Sequence, residues 1–165
     1  MKLFDTSPLI AILGNLASPG ILKHLVSLNY KLYVPTRVLN EVTGSPENEN
    51  LKAVVASNTV TRLNEISEDE VAKFRNRYPG LGKGESELII IACKWQKEQR
   101  KFCCIIDDAN ARKAAERLGL KCKGTVGLLQ KLKANNLIDQ KELDDHYKKL
   151  EASGFRYTFK SSGNN

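Results

Sequence analysis

Acidic residues follow directly after two short apolar segments that have the character of β-strands. The first segment, Lys2-Leu3-Phe4, stops at Asp5, and the apolar run from Phe102 to Ile106 ends at Asp107-Asp108. In an open α/β sheet, ligands bind in the crevice outside the carboxyl ends of the strands. The sequence therefore predicts that Asp5 and the Asp107-Asp108 pair project from the same edge of one sheet.

Two further acids stand near the start of predicted helices. Glu85 opens a long apolar helix, Ser86 to about Gln99, and Glu41 lies on a short helix, Arg37 to Val42. Carboxylates that converge from distant segments repel one another unless a cation lies between them, and a set of oxygen ligands suits Mg²⁺ or Mn²⁺. Taken singly, each acid also has a purely structural interpretation: Asp5 and Asp108 as helix caps, and Glu85 as a favourable charge at a helix N-terminus.

Other chemistries have thin support in this chain. The cysteines at positions 93, 103, 104 and 122 lack the spacing of a zinc knuckle, and His24 and His146 lie far from all of them in the sequence. We therefore expect free, buried thiols and no Cys–His or Ser–His nucleophile. The glycine-rich turn from Tyr78 to Gly84 lacks the Lys-Ser/Thr pair of a phosphate-binding P-loop. The candidate chemistry rests on carboxylates.

The elements that must position these acids alternate between strands and helices. Periodicity and turn residues predict strands over 2–4, 30–34, 59–63, 102–106 and 120–123. They predict helices from Ser7, from Gly20, over 37–42 and 51–56, after Ser67, over 86–99 and 109–118, after Thr125 and after Asp139. A polar loop is expected over 45–50. This rhythm is typical of an α/β domain with a mostly parallel sheet covered on both faces.

The length of the chain and its net charge limit the functions that the protein can have. The 165 residues suit one domain, predicted over residues 1–159 with a loose tail over 160–165. The longest apolar run, Leu88 to Cys93, is too short to cross a bilayer, and Asp5 and Pro8 interrupt any secretory leader, so an intracellular, cytoplasmic protein is expected. The 26 Lys and Arg outnumber the 19 Asp and Glu, giving a net charge of +7. Basic residues are dense over 94–133, which favours a polyanionic partner such as nucleic acid.

Five motifs in order and spacing resemble a PIN domain, in the prokaryotic branch related to VapC-type toxins. They are Asp5–Ile10, Val34–Val42, Gly84–Glu87, Ile106–Arg112 and Gly124–Leu129. The resemblance implies a three-layer α/β/α sandwich around a parallel sheet of about five strands. It also implies a nuclease that hydrolyses single-stranded RNA with Mg²⁺ or Mn²⁺. An antitoxin protein and a second copy of the chain, as a homodimer, are further partners that it implies.

Carried over residue by residue, the resemblance matches Asp5, Glu41 and Glu85 to the first three family acids, and leaves open whether Asp107 or Asp108 is the fourth. These acids are the expected catalytic and metal-binding residues. Thr6 and Ser7 match small hydroxyl positions that would contact a ligand or phosphate, and Arg112 would meet a phosphate or pair with an acid. Glu87 is expected to point away from the site.

Two rival functions are weighed against this one. A phosphatase of the haloacid-dehalogenase kind also places an aspartate after its first strand, but it needs a second aspartate where this chain has Ser7. A catalytically silent RNA- or partner-binding module could keep the fold and work by contact alone. The intact set of acids argues against that module.

Overall fold

A five-stranded, all-parallel sheet forms the centre of the fold in the computed structural model, which describes residues 1–42 and 48–155. Its strand order is β3-β2-β1-β4-β5, so the N-terminal strand lies in the middle. The strands are β1 (Lys2–Phe4), β2 (Leu32–Pro35), β3 (Thr61–Leu63), β4 (Cys103–Ile105) and β5 (Cys122–Lys123). The register pairs Phe4 with Ile105, which brings the residues after β1 and β4 to the same edge.

Helices connect successive strands. The described residues form α1 (Thr6–Ile10), continued by a π-helical turn over Ala11–Asn15, α2 (Gly20–Ser27), α3 (Thr36–Val42), α4 (Asn48–Ala56), α5 (Glu68–Arg77), α6 (Lys83–Lys97), α7 (Ala109–Arg117), α8 (Thr125–Ala134) and α9 (Gln140–Ala152). Every strand pair is parallel, which confirms the predicted sheet.

Alternating strand residues build a separate core on each face of the sheet. Phe4 and Ile105 pack in one core with apolar residues of α1, α2, α8 and α9. Leu3 and Cys104 point the opposite way, into a second core with α6 and α7. Successive side chains of a strand face opposite sides, so two apolar faces require two helical layers. The predicted three-layer α/β/α sandwich is confirmed.

Several predicted boundaries shift. The strands are shorter than the apolar runs that predicted them, because Phe102 and Ile106 continue the apolar pattern beyond the strand residues Cys103–Ile105. The predicted polar loop over 45–50 is helical from residue 48, and its earlier part lies outside the described residues, as does the predicted tail over 160–165. The helix predicted over 37–42 begins one residue earlier, at Thr36, whose hydroxyl donates to the Leu63 carbonyl at 2.5 Å.

The sequence also predicts the state of the cysteines and the lack of a membrane-spanning helix. All four cysteines are free, as predicted, but only Cys104 is buried, and the other three are half-buried. Among the described residues, no single helix has the length and apolar character to cross a membrane. The segments Thr6–Asn15 and Gly20–Ser27 pass that test together, across a bend of 118°, and most of their apolar residues are buried in the core.

Candidate functional site

Asp5 lies at the carboxyl end of the central strand with a buried carboxylate. Its backbone N–H donates to the Ile105 carbonyl at 3.0 Å, which ties the end of β1 to the end of β4. The residue is 1 % exposed, and neither carboxylate oxygen has a hydrogen-bond partner among the described residues. Although Asp5 precedes α1, its side chain makes no capping hydrogen bond. The interpretation of Asp5 as a helix cap is therefore wrong.

Burial and neighbouring acids act together on Asp5. The pKa of its carboxyl is raised from 3.8 to about 7, first by burial and then by the charges of Glu85, Glu41 and Asp107. The nearby backbone N–H of Thr6 partly opposes it. Like charges raise one another's pKa only when they lie within interaction distance, so acids from three other segments of the chain lie near Asp5.

Glu41 is held between two of these segments. The Thr6 hydroxyl donates to Oε2 at 2.5 Å, and the Gly84 N–H donates to Oε1 at 2.9 Å. A Cβ at position 84 would lie 2.6 Å from both carboxylate oxygens, closer than real Cβ contacts come. Only glycine at position 84 lets the backbone approach the Glu41 carboxylate this closely.

Glu85 is the third residue of α6 and not its first, because the helix begins two residues earlier, at Lys83. Its Oε2 accepts a hydrogen bond from the Gly82 N–H at 2.8 Å, so the predicted structural role at the helix N-terminus is confirmed. Burial raises the pKa of Glu85; the Gly82 hydrogen bond opposes the rise, and the charges of Asp108 and Glu41 add to it. One carboxylate thus serves both the helix start and the acid cluster.

Asp107 is fixed by Thr125, from the segment after β5. Its Oδ1 accepts the Thr125 N–H at 2.8 Å, and its Oδ2 accepts the Thr125 hydroxyl at 2.5 Å. The helix predicted after Thr125 begins at Thr125 itself, and Gly124 takes the cap position. Burial raises the pKa of Asp107, whereas both Thr125 hydrogen bonds and the Arg112 charge lower it.

Asp108 is a helix cap. Its Oδ1 accepts the N–H groups of Asn110 and Ala111, each at 2.8 Å, at the start of α7. The cap interpretation is confirmed, yet its charge also reaches Glu85. The charge of Asp107 raises the pKa of Asp5 and the charge of Asp108 raises that of Glu85, so the two neighbours act on different acids of the cluster.

The remaining predicted contact residues divide by what they touch. Thr6 bonds Glu41, as described above, whereas the half-buried Ser7 hydroxyl forms no hydrogen bond within the described part of the chain. The Arg112 guanidinium donates to the Ile106 carbonyl at 2.5 Å, and its charge acts on Asp107. Arg112 therefore supports the end of β4 and the neighbouring acid.

Glu87 lies outside the cluster, as expected, but its side chain connects α6 to α3 through hydrogen bonds. It is fully buried, and its two carboxylate oxygens accept the backbone N–H groups of Arg37 and Ile66, each at 2.8 Å. These bonds fix the start of α3, which carries Glu41, against α6, which carries Glu85. Sequence reasoning missed this role, as it missed those of Gly84 and Thr125. The only available signal was that all three lie inside the motifs behind the family resemblance.

The oxygen atoms around Asp5 are the donors that a metal ion would meet. Among residues 1–42 and 48–155, no three acidic, histidine or cysteine side chains stand close enough to form a metal site as they are placed. The carboxylate of Asp5 nevertheless fits a cation, because two buried oxygens without hydrogen-bond partners, next to three other acids, are satisfied by positive charge. Hard oxygen donors of this kind suit a divalent ion such as Mg²⁺ or Mn²⁺.

Comparison with known proteins places this geometry in a family. Searches of the curated proteins and of the solved structures returned no match. A family model described as a PIN domain, DUF3368, matches residues 1–162, which includes every strand and helix described above and all the acids of the cluster. The chain therefore belongs to the PIN-domain family.

Proposed function

We propose that the protein is a metal-dependent endoribonuclease that hydrolyses phosphodiester bonds of single-stranded RNA. The observation that carries the proposal is the Asp5 carboxylate, buried without hydrogen-bond partners among three other acids. A purely structural buried acid is normally hydrogen-bonded, as Glu87 is in this chain. Membership of the PIN-domain family supports a nuclease.

The chain's own residues take distinct parts. Asp5 and either Asp107 or Asp108 would hold Mg²⁺ or Mn²⁺, and Glu41 and Glu85 would complete the shell or hold a second ion. A bound ion of this kind lowers the pKa of water and offsets charge on the phosphoryl group. Thr6 and Gly84 hold the Glu41 carboxylate, and Thr125 holds that of Asp107. Positions fixed in this way orient a phosphodiester and the attacking water.

Metal-dependent cleavage is the first test. We expect the purified protein to cut single-stranded RNA with Mg²⁺ or Mn²⁺ and to leave it intact in excess chelator. Because water and not the RNA 2′-hydroxyl is the nucleophile, the products should carry 5′-phosphate and 3′-hydroxyl ends. End-labelled RNA resolved on a sequencing gel reports both. Cleavage that survives chelator, or that leaves cyclic phosphate ends, would contradict the proposal.

A catalytically silent binding module is the second candidate, and one observation favours it. Both oxygens of Asp107 are engaged by Thr125, one oxygen of Asp108 is engaged by the α7 cap, and no ready-made metal site is present in the described residues. If the protein binds RNA but does not cut it with Mn²⁺, after removal of any bound inhibitor, this candidate replaces the nuclease.

Replacing Gly84 tests the arrangement of Glu41. Gly84→Ala places a Cβ where the two Glu41 oxygens lie, so the side chain must leave and the hydrogen bond from residue 84 is lost. We expect RNA cleavage to fall about tenfold or more while the fold persists. Cleavage rates and thermal melts measure the two effects. Gly20→Ala is the matched control, because a Cβ at position 20 meets nothing within 4 Å. Equal cleavage rates for the two variants would rule out a role for Glu41.

The biological role follows from the family resemblance alone. We propose that the nuclease is the toxin of a toxin–antitoxin pair, with an antitoxin protein as its inhibitor and a homodimer as its working form. Expression of the wild type should then arrest growth of a bacterial host, whereas Asp5→Asn should not. Light scattering of the purified protein gives its oligomeric state. Growth unaffected by an active wild-type nuclease would remove the toxin role and leave the nuclease.

A further inference from the structure

A groove with three unpaired cations adjoins the acid cluster. It has a volume of about 350 Å³ and lies between the 77–81 segment and α7. Its lining includes Arg77, Tyr78, Asn110, Lys113 and Arg117, and no acid. Below, this is called the cationic groove. None of its three cationic side chains forms an ion pair or hydrogen bond within the described residues, and all three are exposed.

The neighbouring cavity differs from the cationic groove because acids neutralise part of its positive charge. That cavity, of about 480 Å³, is also basic, but Lys73 pairs with Asp69 at 2.7 Å and Lys94 pairs with Glu70 at 2.9 Å. Two of its four cations are therefore neutralised by their own neighbours, and a third, Arg77, is shared with the cationic groove. In the cationic groove the positive charge is left for an external anion, because like charges close together repel until a counter-charge binds.

Both walls of the cationic groove lead to acids of the cluster. One wall ends at Leu81, next to Gly82, whose N–H holds the Glu85 carboxylate. The other wall begins at Asn110, whose N–H is capped by Asp108. A chain lying in the groove would thus arrive at the side of the cluster formed by these two acids.

An aromatic ring completes the groove. Tyr78 lines both cavities, and Phe74 stacks on it with ring centroids 4.7 Å apart but lines only the neighbouring cavity. Tyr78 is therefore the aromatic side chain available to a ligand in the cationic groove. Cations that track a backbone, together with an aromatic ring on which a base stacks, are the features that bind single-stranded nucleic acid.

The geometry points to the cationic groove as the path by which single-stranded RNA reaches the acid cluster. Arg77, Lys113 and Arg117 contact phosphates, and a base stacks on Tyr78. This inference rests on the proposed nuclease function and adds the binding track. An acidic peptide would use the same cations but would gain nothing from the aromatic ring, so RNA is the occupant that the lining favours.

Two triple variants, each of which removes three positive charges, test whether the cationic groove is the path of the RNA. The groove variant is Arg77→Gln/Lys113→Gln/Arg117→Gln. The control is Lys23→Gln/Lys31→Gln/Lys141→Gln, which removes the same charge from exposed positions of α2, the segment before β2 and α9. Binding of labelled oligouridylate of about 12 nucleotides is followed by fluorescence anisotropy in chelator, so that no cleavage occurs. Thermal melts verify that every variant is folded.

The groove variant should bind at least about tenfold more weakly at low salt, and the control within about twofold of wild type. The slope of log K against log salt should become shallower by about 2, since each phosphate contact to a single strand contributes about 0.7. Tyr78→Leu should weaken binding about fivefold or more, and Tyr78→Phe should retain it, because stacking needs the ring and not the hydroxyl. With Mn²⁺ present, the groove variant should raise KM for RNA and leave kcat near the wild-type value.

The outcomes separate the track from the nuclease. Equal binding by the groove and control variants would overturn the track, and metal-dependent cleavage by the wild type would still stand. Weaker binding by the groove variant, without any cleavage by the wild type, would support the track and reject the nuclease. Polyglutamate that binds the wild type more tightly than oligouridylate, and that only the groove variant fails to bind, would assign the groove to an acidic peptide and overturn the proposal.

Discussion

The Asp5→Asn variant is expected to melt at a higher temperature than the wild type when metal is absent, and to lose RNA cleavage. At a pH above its folded pKa of about 7, the ionised, buried carboxyl costs the metal-free fold up to about 4 kcal/mol relative to its unfolded pKa of 3.8. A buried amide without partners itself costs about 2 kcal/mol, so a net gain of about 1–2 kcal/mol is expected. For a chain of this length, that gain raises Tm by about 2–8 °C.

The sign of the pH dependence gives a second readout of the same variant. Below about pH 4 the Asp5 carboxyl is protonated in both the folded and the unfolded chain. Between pH 4 and about 7 the unfolded chain releases this proton while the folded chain keeps it, so the contribution of Asp5 to stability falls as pH rises. Above about pH 7 this contribution levels off. Asp5→Asn removes it, so the difference in Tm between variant and wild type should grow from pH 4 to pH 7.

Added Mn²⁺ should reverse the order of the two melting temperatures, so that the wild type melts at a higher temperature than Asp5→Asn. Binding to the native state stabilises the wild type by mass action, and Asp5→Asn should lose most of that gain. Melts with chelator and with Mn²⁺, on both proteins, make the measurement. A variant that responds to Mn²⁺ as the wild type does would show that Asp5 is not a ligand.

Replacing Glu87 is expected to destabilise the fold more than any other single substitution considered above. Both of its oxygens accept backbone N–H groups, so Glu87→Gln must turn an amide N–H₂ toward one donor and leave it unsatisfied. The Arg37 guanidinium, 3.8 Å from Glu87, also loses its buried counter-charge. We expect a loss of about 3 kcal/mol, which lowers Tm by about 6–12 °C.

Glu70→Gln is the matched control for Glu87. Glu70 pairs with Lys94 at 2.9 Å on the surface, where the same chemical change should cost no more than about 1 kcal/mol. Denaturant or thermal unfolding of both variants measures the difference. If Glu87→Gln melts like Glu70→Gln, the buried tie between α3 and α6 contributes little to stability.

The sequence predicts the sheet and its acidic edge because both depend on local patterns. Asp5 and Asp107 each follow an apolar segment, and parallel strands bring such residues to one edge whatever their separation along the chain. The apolar runs overestimate strand length, since side-chain burial continues at Ile106 after the ladder of hydrogen bonds has ended. Burial and backbone pairing are separate requirements, and hydrophobicity reports only the first.

The partners of the acids could not be predicted, because they depend on contacts distant in sequence. The local sequence around Thr125 indicates only the start of a helix. Thr125 contacts Asp107 because β4 and β5 are neighbours in the sheet. The local sequence places Gly84 in a turn. The hydrogen bond from its N–H to Glu41 depends on how α3 packs against α6. Asp108 shows the opposite case, because its capping role is local and follows from the sequence alone.

The central position of the first strand determines when the site can assemble during synthesis. β1 pairs with β4 through Lys2 with Cys103, Leu3 with Cys104 and Phe4 with Ile105, so one side of β1 stays open until most of the chain has been translated. A ribosome delivers residues one at a time, and pairings this distant in sequence form late. A nascent or truncated chain that stops before residue 103 therefore lacks β4 and the two acids, Asp107 and Asp108, that follow it. Incomplete translation products then cannot assemble the acid cluster.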